Sequence, residues 1–123
     1  MRTGELGKTY KDKEVIIRQG ESGNCMYVIQ SGEVEVLRHK DGAEVQLAIR
    51  KKGDFFGEMA LFSREVRSAT IRALGDARVL TVDRKSLLNS IQKDPSLAFR
   101  IIETLSKRIR DLSEEIAPYK IVK

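Results

Sequence analysis

The sequence predicts a mainly β protein: an eight-stranded antiparallel jelly-roll barrel followed by a short helix and a long helix. Two observations predict this class. Between residues 10 and 83, short β-rich runs alternate with turns rich in Gly, Asp and Asn, which is typical of a sandwich or barrel. After residue 83 the apolar residues recur with the period of a helix.

Length and composition indicate one ordinary globular domain over residues 1–123, large enough to bury a core. The net charge is +5, but 23 basic and 18 acidic residues are interspersed, which favours a solvated surface over a nucleic-acid interface. The single cysteine, Cys25, excludes an internal disulfide and a cysteine-rich metal centre. We find neither a signal-peptide core nor an apolar stretch of membrane-spanning length, so we expect a cytoplasmic protein without membrane contact.

The barrel strands are expected between about residues 10 and 83, where β-rich residues recur between turns, at 14–18, 25–30, 33–39, 45–49, 66–74 and 78–82. Gly32 and the pair Gly75-Asp76 are expected to separate strands. Asp41-Gly42 is a strong hairpin signal, because the two-residue turn that suits a hairpin requires positive φ angles.

Two helices are expected after the barrel. Asp83 can cap the first, at about residues 84–92. The second is expected at about residues 95–116, because Asp94 is a capping residue and Pro95 suits the first helical position.

The long helix carries an apolar seam with spacings of 4, 3, 4, 3 and 4: Ala98, Ile102, Leu105, Ile109, Leu112 and Ile116. The seam places Ile at heptad position a and Leu mainly at d, the combination that favours a parallel two-stranded coiled coil. The alternative is a helix packed on its own barrel through a wider stripe that includes Phe99 and Ile101. Both faces are present, so we expect contact with the barrel at the start of the helix and a homodimer through about residues 98–116.

Residues 56–70 contain the most informative motif. Glu58 follows a glycine at the start of a short apolar turn, and Arg67 comes nine residues later, before three small residues. A helix N-terminus with a nearby guanidinium suits one phosphate, and a carboxylate accepts hydrogen bonds from sugar hydroxyls. The motif therefore predicts a cyclic-nucleotide pocket. The alternative is that Glu58 and Arg67 form an exposed ion pair at a barrel rim.

From Tyr10 to about Ile116 the chain resembles the cyclic-nucleotide-binding domain family, specifically the sensor half of Crp/Fnr-type bacterial regulators. The resemblance rests on glycines at turn positions 20, 32 and 53 and on the stretches 56–61 and 67–70, which correspond to the family's phosphate-binding cassette. Lys13 and Val66 depart from it, where the family has a turn glycine and often a proline. The ligand-binding residues that it implies in the cassette are Gly57, Glu58, Met59, Ala60, Arg67, Ser68 and Ala69.

The resemblance also implies individual roles. Glu58 would accept a hydrogen bond from the ribose 2′-hydroxyl, and Arg67 would bind the cyclic phosphate. Gly57 would let the backbone approach the ligand. Leu112 and Ser113 would cover the adenine, partly from the partner subunit of a Crp-like dimer.

cAMP is the expected ligand, ahead of cGMP, and no cofactor or metal is expected. In the family's eukaryotic kinases, Ala at the position of Ser68 accompanies cAMP and Thr accompanies cGMP, so Ser is intermediate, and bacterial cAMP sensors also carry it. His39 stands alone beside a hairpin turn, which argues against a metal enzyme. We therefore expect a binding protein and not an enzyme.

The chain ends about seven residues after the long helix, so we expect no helix-turn-helix and no direct sequence-specific DNA binding. The leading hypothesis is a sensor whose C-terminal helices rearrange on binding and act on an unidentified downstream protein. Two alternatives are open. The chain could be a sensor fragment of a longer transcription regulator or kinase-type regulatory chain, or a dimeric structural adaptor with a vestigial pocket.

Overall fold

The computed structural model describes residues 7–63 and 66–119. This part of the chain begins with strands β1 to β5, at Lys8–Tyr10, Val15–Ile17, Cys25–Lys40, Ala43–Lys51 and Phe55–Phe56. Helix α1 (Glu58–Ser63) precedes the last strand, β6 (Thr70–Asp83). Helices α2 (Arg84–Lys93) and α3 (Ser96–Ile116) follow, and a 3₁₀ turn covers Ala117–Tyr119.

The strands form one antiparallel sheet in the order β1-β6-β3-β4, with β2 also paired to β6 and β5 to β3. Its centre is the long ladder between β3 and β6, which extends from the pair Cys25–Asp83 to the pair Leu37–Thr70. The predicted fold class, a mainly β jelly-roll with C-terminal helices, is confirmed.

Two predicted strand ends are wrong. Strands β3 and β6 continue through Gly32 and Gly75, whose φ angles are +78° and +74°. The ladder absorbs the bend at Gly32 through register shifts between Ile29 and Glu33, because a bulge bends a strand without ending its pairing. Cutting each long strand at its glycine gives eight segments, which is the number that the sequence predicted; the segments Lys8–Tyr10 and Phe55–Phe56 were not placed in advance.

Two local turns follow the sequence pattern. Asp41 and Gly42 have φ angles of 53° and 79° between the paired residues Lys40 and Ala43, which is the predicted two-residue hairpin. Lys13 has a φ of 70°. Lys13 therefore adopts the left-handed conformation that glycine adopts easily. The turn has the same local conformation even though Lys replaces the glycine that is usual in the family.

The hydrophobic core is built by residues of the sheet. Its buried members come from β2, β3, β5 and β6: Ile17, Ile29, Val34, Phe56, Ile71, Ala73, Ala77 and Val79. Phe56 belongs to this core and directly precedes Gly57, so the start of the cassette is attached to the best-packed part of the sheet.

The chain divides into two compact units, residues 2–87 and 88–123. In the second unit, Leu97 and Ile101 of α3 are buried. Four residues of the predicted seam are between 45% and 64% exposed: Ile102, Ile109, Leu112 and Ile116. The single domain and the homodimer stay predictions.

Within the described residues no helix is long and apolar enough to cross a membrane, and a cytoplasmic location also stays a prediction.

The two predicted helix caps have different outcomes. Asp83 caps α2 as expected, because its Oδ1 accepts a hydrogen bond of 2.7 Å from the Ser86 backbone N–H. Helix α3 begins at Ser96 instead of Pro95, and no side chain caps it. The Asp94 carboxylate is used otherwise: it accepts hydrogen bonds from Ser96 Oγ at 2.6 Å and from Arg100 at 3.2 Å.

The Asp83 cap predicts a pH-dependent stability. Hydrogen bonds from Ser86 lower the pKa of Asp83 from 3.8, so its contribution is present above that value and is lost as the pH falls through the folded-state pKa. Asp83→Ala should therefore lower the free energy of unfolding at pH 7, and the deficit should shrink below about pH 4. Urea unfolding between pH 3 and 7 measures this. Asp83→Asn, which keeps a neutral acceptor, is the control, and an equal deficit for Asp83→Ala at both ends of the range would contradict the prediction.

Candidate ligand-binding site

The cassette of residues 57–70 connects β5 to β6. Strand β5 pairs with β3, where Phe56 lies opposite Tyr27. Gly57 then leaves the strand with a φ of +76°, and α1 begins at Glu58. Ala60 and Leu61 are buried. The short helix is therefore held against the sheet by its apolar side.

Arg67 is held first by its backbone. Its N–H donates to the carbonyl of Glu21 at 2.8 Å, and its carbonyl accepts from the N–H of Gly20 at 2.8 Å. Strand β6 was predicted to begin at residue 66 but begins at Thr70. The reason is that the backbone of Arg67 bonds to Gly20 and Glu21, in the segment between β2 and β3, before the chain pairs with β3.

The side chain of Arg67 is only 8% exposed. Its Nη1 donates to the carbonyl of Gly57 at 2.7 Å, and its Nη2 donates to the carbonyl of Cys25 at 2.9 Å. A guanidinium has five N–H donors, so these two bonds leave three. The arginine is thus oriented from both sides and keeps donors for a further acceptor.

The charge of Arg67 is not balanced by any side chain in the part of the protein that the structure describes. Buried charges in proteins are ordinarily paired. Among residues 7–63 and 66–119, no carboxylate lies within ion-pair distance of Arg67, and both of its strong hydrogen bonds go to uncharged carbonyls. The alternative interpretation, a pair between Glu58 and Arg67, therefore does not apply. The site is suited to an anion that completes the pairing.

The other predicted site residues fall into two groups. In the cassette, Glu58 and Ala69 are half-buried, Ala60 is buried, and Met59 and Ser68 are exposed. The carbonyl of Ser68 accepts a hydrogen bond of 3.3 Å from Arg38 Nε on β3. Leu112 and Ser113 are exposed residues of α3 in the second unit, so their relation to the cassette stays a prediction.

The family model described as "Cyclic nucleotide-binding domain" matches residues 7–94. The chain belongs to this family. The predicted family is therefore confirmed, whereas the residues that bind the ligand stay a prediction.

Individual relatives agree with this family. The cAMP-activated global transcriptional regulator CRP of Salmonella typhimurium is 33% identical over 87% of the chain, and the match covers 52% of that protein. The cGMP-dependent protein kinase egl-4 of Caenorhabditis elegans is 40% identical over 92% of the chain, and the match covers 15% of the kinase. The crystal structure of the Thermus thermophilus catabolite activator protein matches with a TM-score of 0.81 and 32% identity, over 91% of this chain and 53% of that chain. The chain thus spans about half the length of the bacterial regulators that it matches.

Sequence reasoning missed three residues that lie outside the cassette but next to it. Cys25 is half-buried, and its Sγ is 3.9 Å from Arg67 Nη2. Tyr27 stacks on Phe56 with ring centroids 5.2 Å apart, and burial raises the pKa of its phenol to about 12. Gly23 borders the Arg67 guanidinium. No local signal connects these residues to an arginine 40 or more positions away.

A cavity of about 470 Å³ opens beside the cassette in the same unit. Its lining combines the start of β3, the buried side of α1 and the start of α2: Gly23, Asn24, Ala60, Leu61, Asp83, Arg84 and Lys85. Arg67 is not part of this lining, but Gly23 borders both the cavity and the guanidinium. A displacement of α1 would therefore change the surroundings of the first turn of α2.

The cassette geometry predicts a difference between two glycines with nearly equal φ angles. A Cβ on Gly57 would lie 2.9 Å from both Arg67 Nη1 and Ile17 Cδ1, whereas a Cβ on Gly75 would meet nothing within 4 Å. Gly75→Ala should cost about 1–2 kcal/mol, the backbone term alone. Gly57→Ala should cost more, because it adds crowding. Urea unfolding of both variants without ligand tests this, and equal losses would contradict it.

Proposed function

We propose that this chain is a sensor that binds a cyclic nucleotide, with cAMP preferred, and passes the binding event on by rearranging its C-terminal helices. The observation that carries the proposal is the buried guanidinium of Arg67. It is oriented by two carbonyls and has no carboxylate partner among the described residues. A bound phosphate would supply the missing negative charge through charge-assisted hydrogen bonds.

The rest of the cassette suits a nucleotide. Glu58 begins α1 directly after Gly57, the residue whose carbonyl accepts a hydrogen bond from Arg67 Nη1. As an acceptor-only group, the ionised carboxylate would select the ribose 2′-hydroxyl. Ser68 adds a hydroxyl next to Arg67. Leu112 and Ser113 would cover the base from α3, partly from a partner subunit.

The choice of base rests on Ser68 and on the relatives. One relative is named as cAMP-activated and another as cGMP-dependent, and Ser68 is intermediate between the residues that accompany each ligand in the kinases of the family. Bacterial cAMP sensors of the family also carry Ser at this position, and the relatives from Salmonella typhimurium and Thermus thermophilus are both named for cAMP, which supports cAMP.

The signal would leave the site through the helices. The cavity lined by α1 and by the first turn of α2 gives the cassette room to move when phosphate binds. Nucleotide would then favour one placement of α2 and α3 over others, which is a population shift. The output would be the surface that a dimer presents to a downstream partner. The chain would act as a binding module and not as an enzyme.

Nucleotide should stabilise the protein. At about 100 times the dissociation constant, a ligand that binds only the folded state adds about 2.7 kcal/mol, which corresponds to roughly 10 °C in Tm for a domain of this size. We expect this shift with cAMP and a smaller one with cGMP at equal concentration. Arg67→Ala should abolish both shifts, because it removes the group that binds the phosphate. Differential scanning calorimetry measures them.

The same experiment separates the sensor from the adaptor with a vestigial pocket. An unchanged Tm in both nucleotides would favour the adaptor and overturn the sensor proposal. AMP is the matched control ligand, since it carries the same base and ribose without the cyclic phosphodiester. Arg38→Ala, which loses only the hydrogen bond to the Ser68 carbonyl, should keep most of the shift.

The exposed seam of α3 should form a parallel dimer that responds to nucleotide. A nitroxide label attached to Ser106→Cys, in a Cys25→Ala background, should give a dipolar distance between two copies of the chain. The addition of cAMP should change the distribution of that distance. Ile109→Glu, which places a charge in the seam, should remove the coupling. Lys107→Glu, outside the seam, is the control. A distance distribution that nucleotide leaves unchanged would count against rearrangement of the helices.

A further inference from the structure

One short segment surrounds Arg67. The backbone of Gly20 and Glu21 bonds the Arg67 main chain. The carbonyl of Cys25 accepts from Nη2. Residues 20–25 therefore hold both the main chain and the side chain of the arginine, although 42 positions separate Cys25 from Arg67.

Gly23 lies at the middle of this segment, where space is tightest. The three atoms closest to a Cβ built on Gly23 all belong to the Arg67 guanidinium: Nε, Cζ and Nη2. The added carbon would overlap them, so a side chain at this position and the observed guanidinium cannot coexist.

The backbone does not require this glycine. Six glycines of the described residues have positive φ angles, and Gly23 is not among them. Alanine can therefore adopt its conformation without the strain that it would meet at Gly20 or Gly57. Because the collision involves the side chain of Arg67, a methyl group at residue 23 acts on the guanidinium and not on the turn.

We propose that Gly23 is a positioning residue for cyclic-nucleotide binding: its missing side chain opens the space in which the Arg67 guanidinium lies between the carbonyls of Cys25 and Gly57. This inference rests on the proposed function, because it assigns Arg67 to the phosphate. Held in this way, the arginine needs little rearrangement when the ligand arrives. Preorganisation of this kind raises affinity by lowering the cost of ordering the site.

The proposal is tested with Gly23→Ala, Arg67→Ala, the double variant and, as a matched control, Ser22→Ala. Titration calorimetry with cAMP should show Gly23→Ala binding at least about tenfold more weakly than the wild type, the loss expected for one charge-assisted hydrogen bond. Ser22 is the exposed neighbour of Gly23 and is not part of the cavity lining, so Ser22→Ala should bind within about twofold of the wild type.

Urea unfolding without ligand gives a second readout that does not depend on binding. Gly23→Ala should lower the unfolding midpoint when Arg67 is present and should leave it unchanged in the Arg67→Ala background, because the methyl group then fills vacated space. Such coupling is a property of residues in contact. Equal shifts in both backgrounds would mean that Gly23 serves only the turn, and would overturn the proposal.

The two failures are distinguishable. If the wild type binds cAMP and Gly23→Ala binds equally well, the positioning role is wrong and the proposed function stands. If the wild type binds no cyclic nucleotide, the proposed function is wrong and the positioning role for binding falls with it. The ligand-free unfolding cycle would then still report whether Gly23 and Arg67 are coupled.

Discussion

A buried positive charge organises the cassette. The Arg67 guanidinium lies between the carbonyls of Gly57 and Cys25, at hydrogen-bond distances of 2.7 and 2.9 Å. Burying a charge without a counter-ion is costly, and neutral carbonyls offset only part of that cost. The cost is understandable if an anion completes the pairing in the bound state. The guanidinium connects the first residue of β3, Cys25, to Gly57, which links β5 to α1, and so holds these elements close together.

That close approach depends on main-chain contacts, and these depend on missing side chains. Gly57 offers its carbonyl to Arg67 at a positive φ, and Gly23 leaves room for the guanidinium itself. The surrounding sheet makes the arrangement stable, because Phe56 belongs to the core and stacks on Tyr27 of the central ladder. The proposed site is therefore supported by the buried core and by the central strand β3.

The proposed function assigns nucleotide sensing and signal output to different units of the chain. The described cassette lies within residues 2–87, whereas the exposed Ile and Leu residues of α3 lie within residues 88–123. Isolated exposed apolar residues are normal on protein surfaces, but a heptad-spaced row on one helix is typical of an interface. The proposed sensor would use the first unit to bind nucleotide and the second to report it.

The sequence by itself determined the features that depend on chain neighbours. The Asp41-Gly42 hairpin and the Asp83 cap depend on local backbone geometry and local hydrogen bonds. The two C-terminal helices and the motif around Glu58 and Arg67 are also visible as local patterns of residues. Only the tertiary structure decided that β3 and β6 continue through their glycines, because pairing across the sheet outweighs a local turn signal. It alone placed Gly23 and Cys25 against Arg67, since contacts between residues more than 40 positions apart leave no periodic trace in the sequence. The motif thus predicted the arginine that we propose to bind phosphate, and the fold determined what holds it in place.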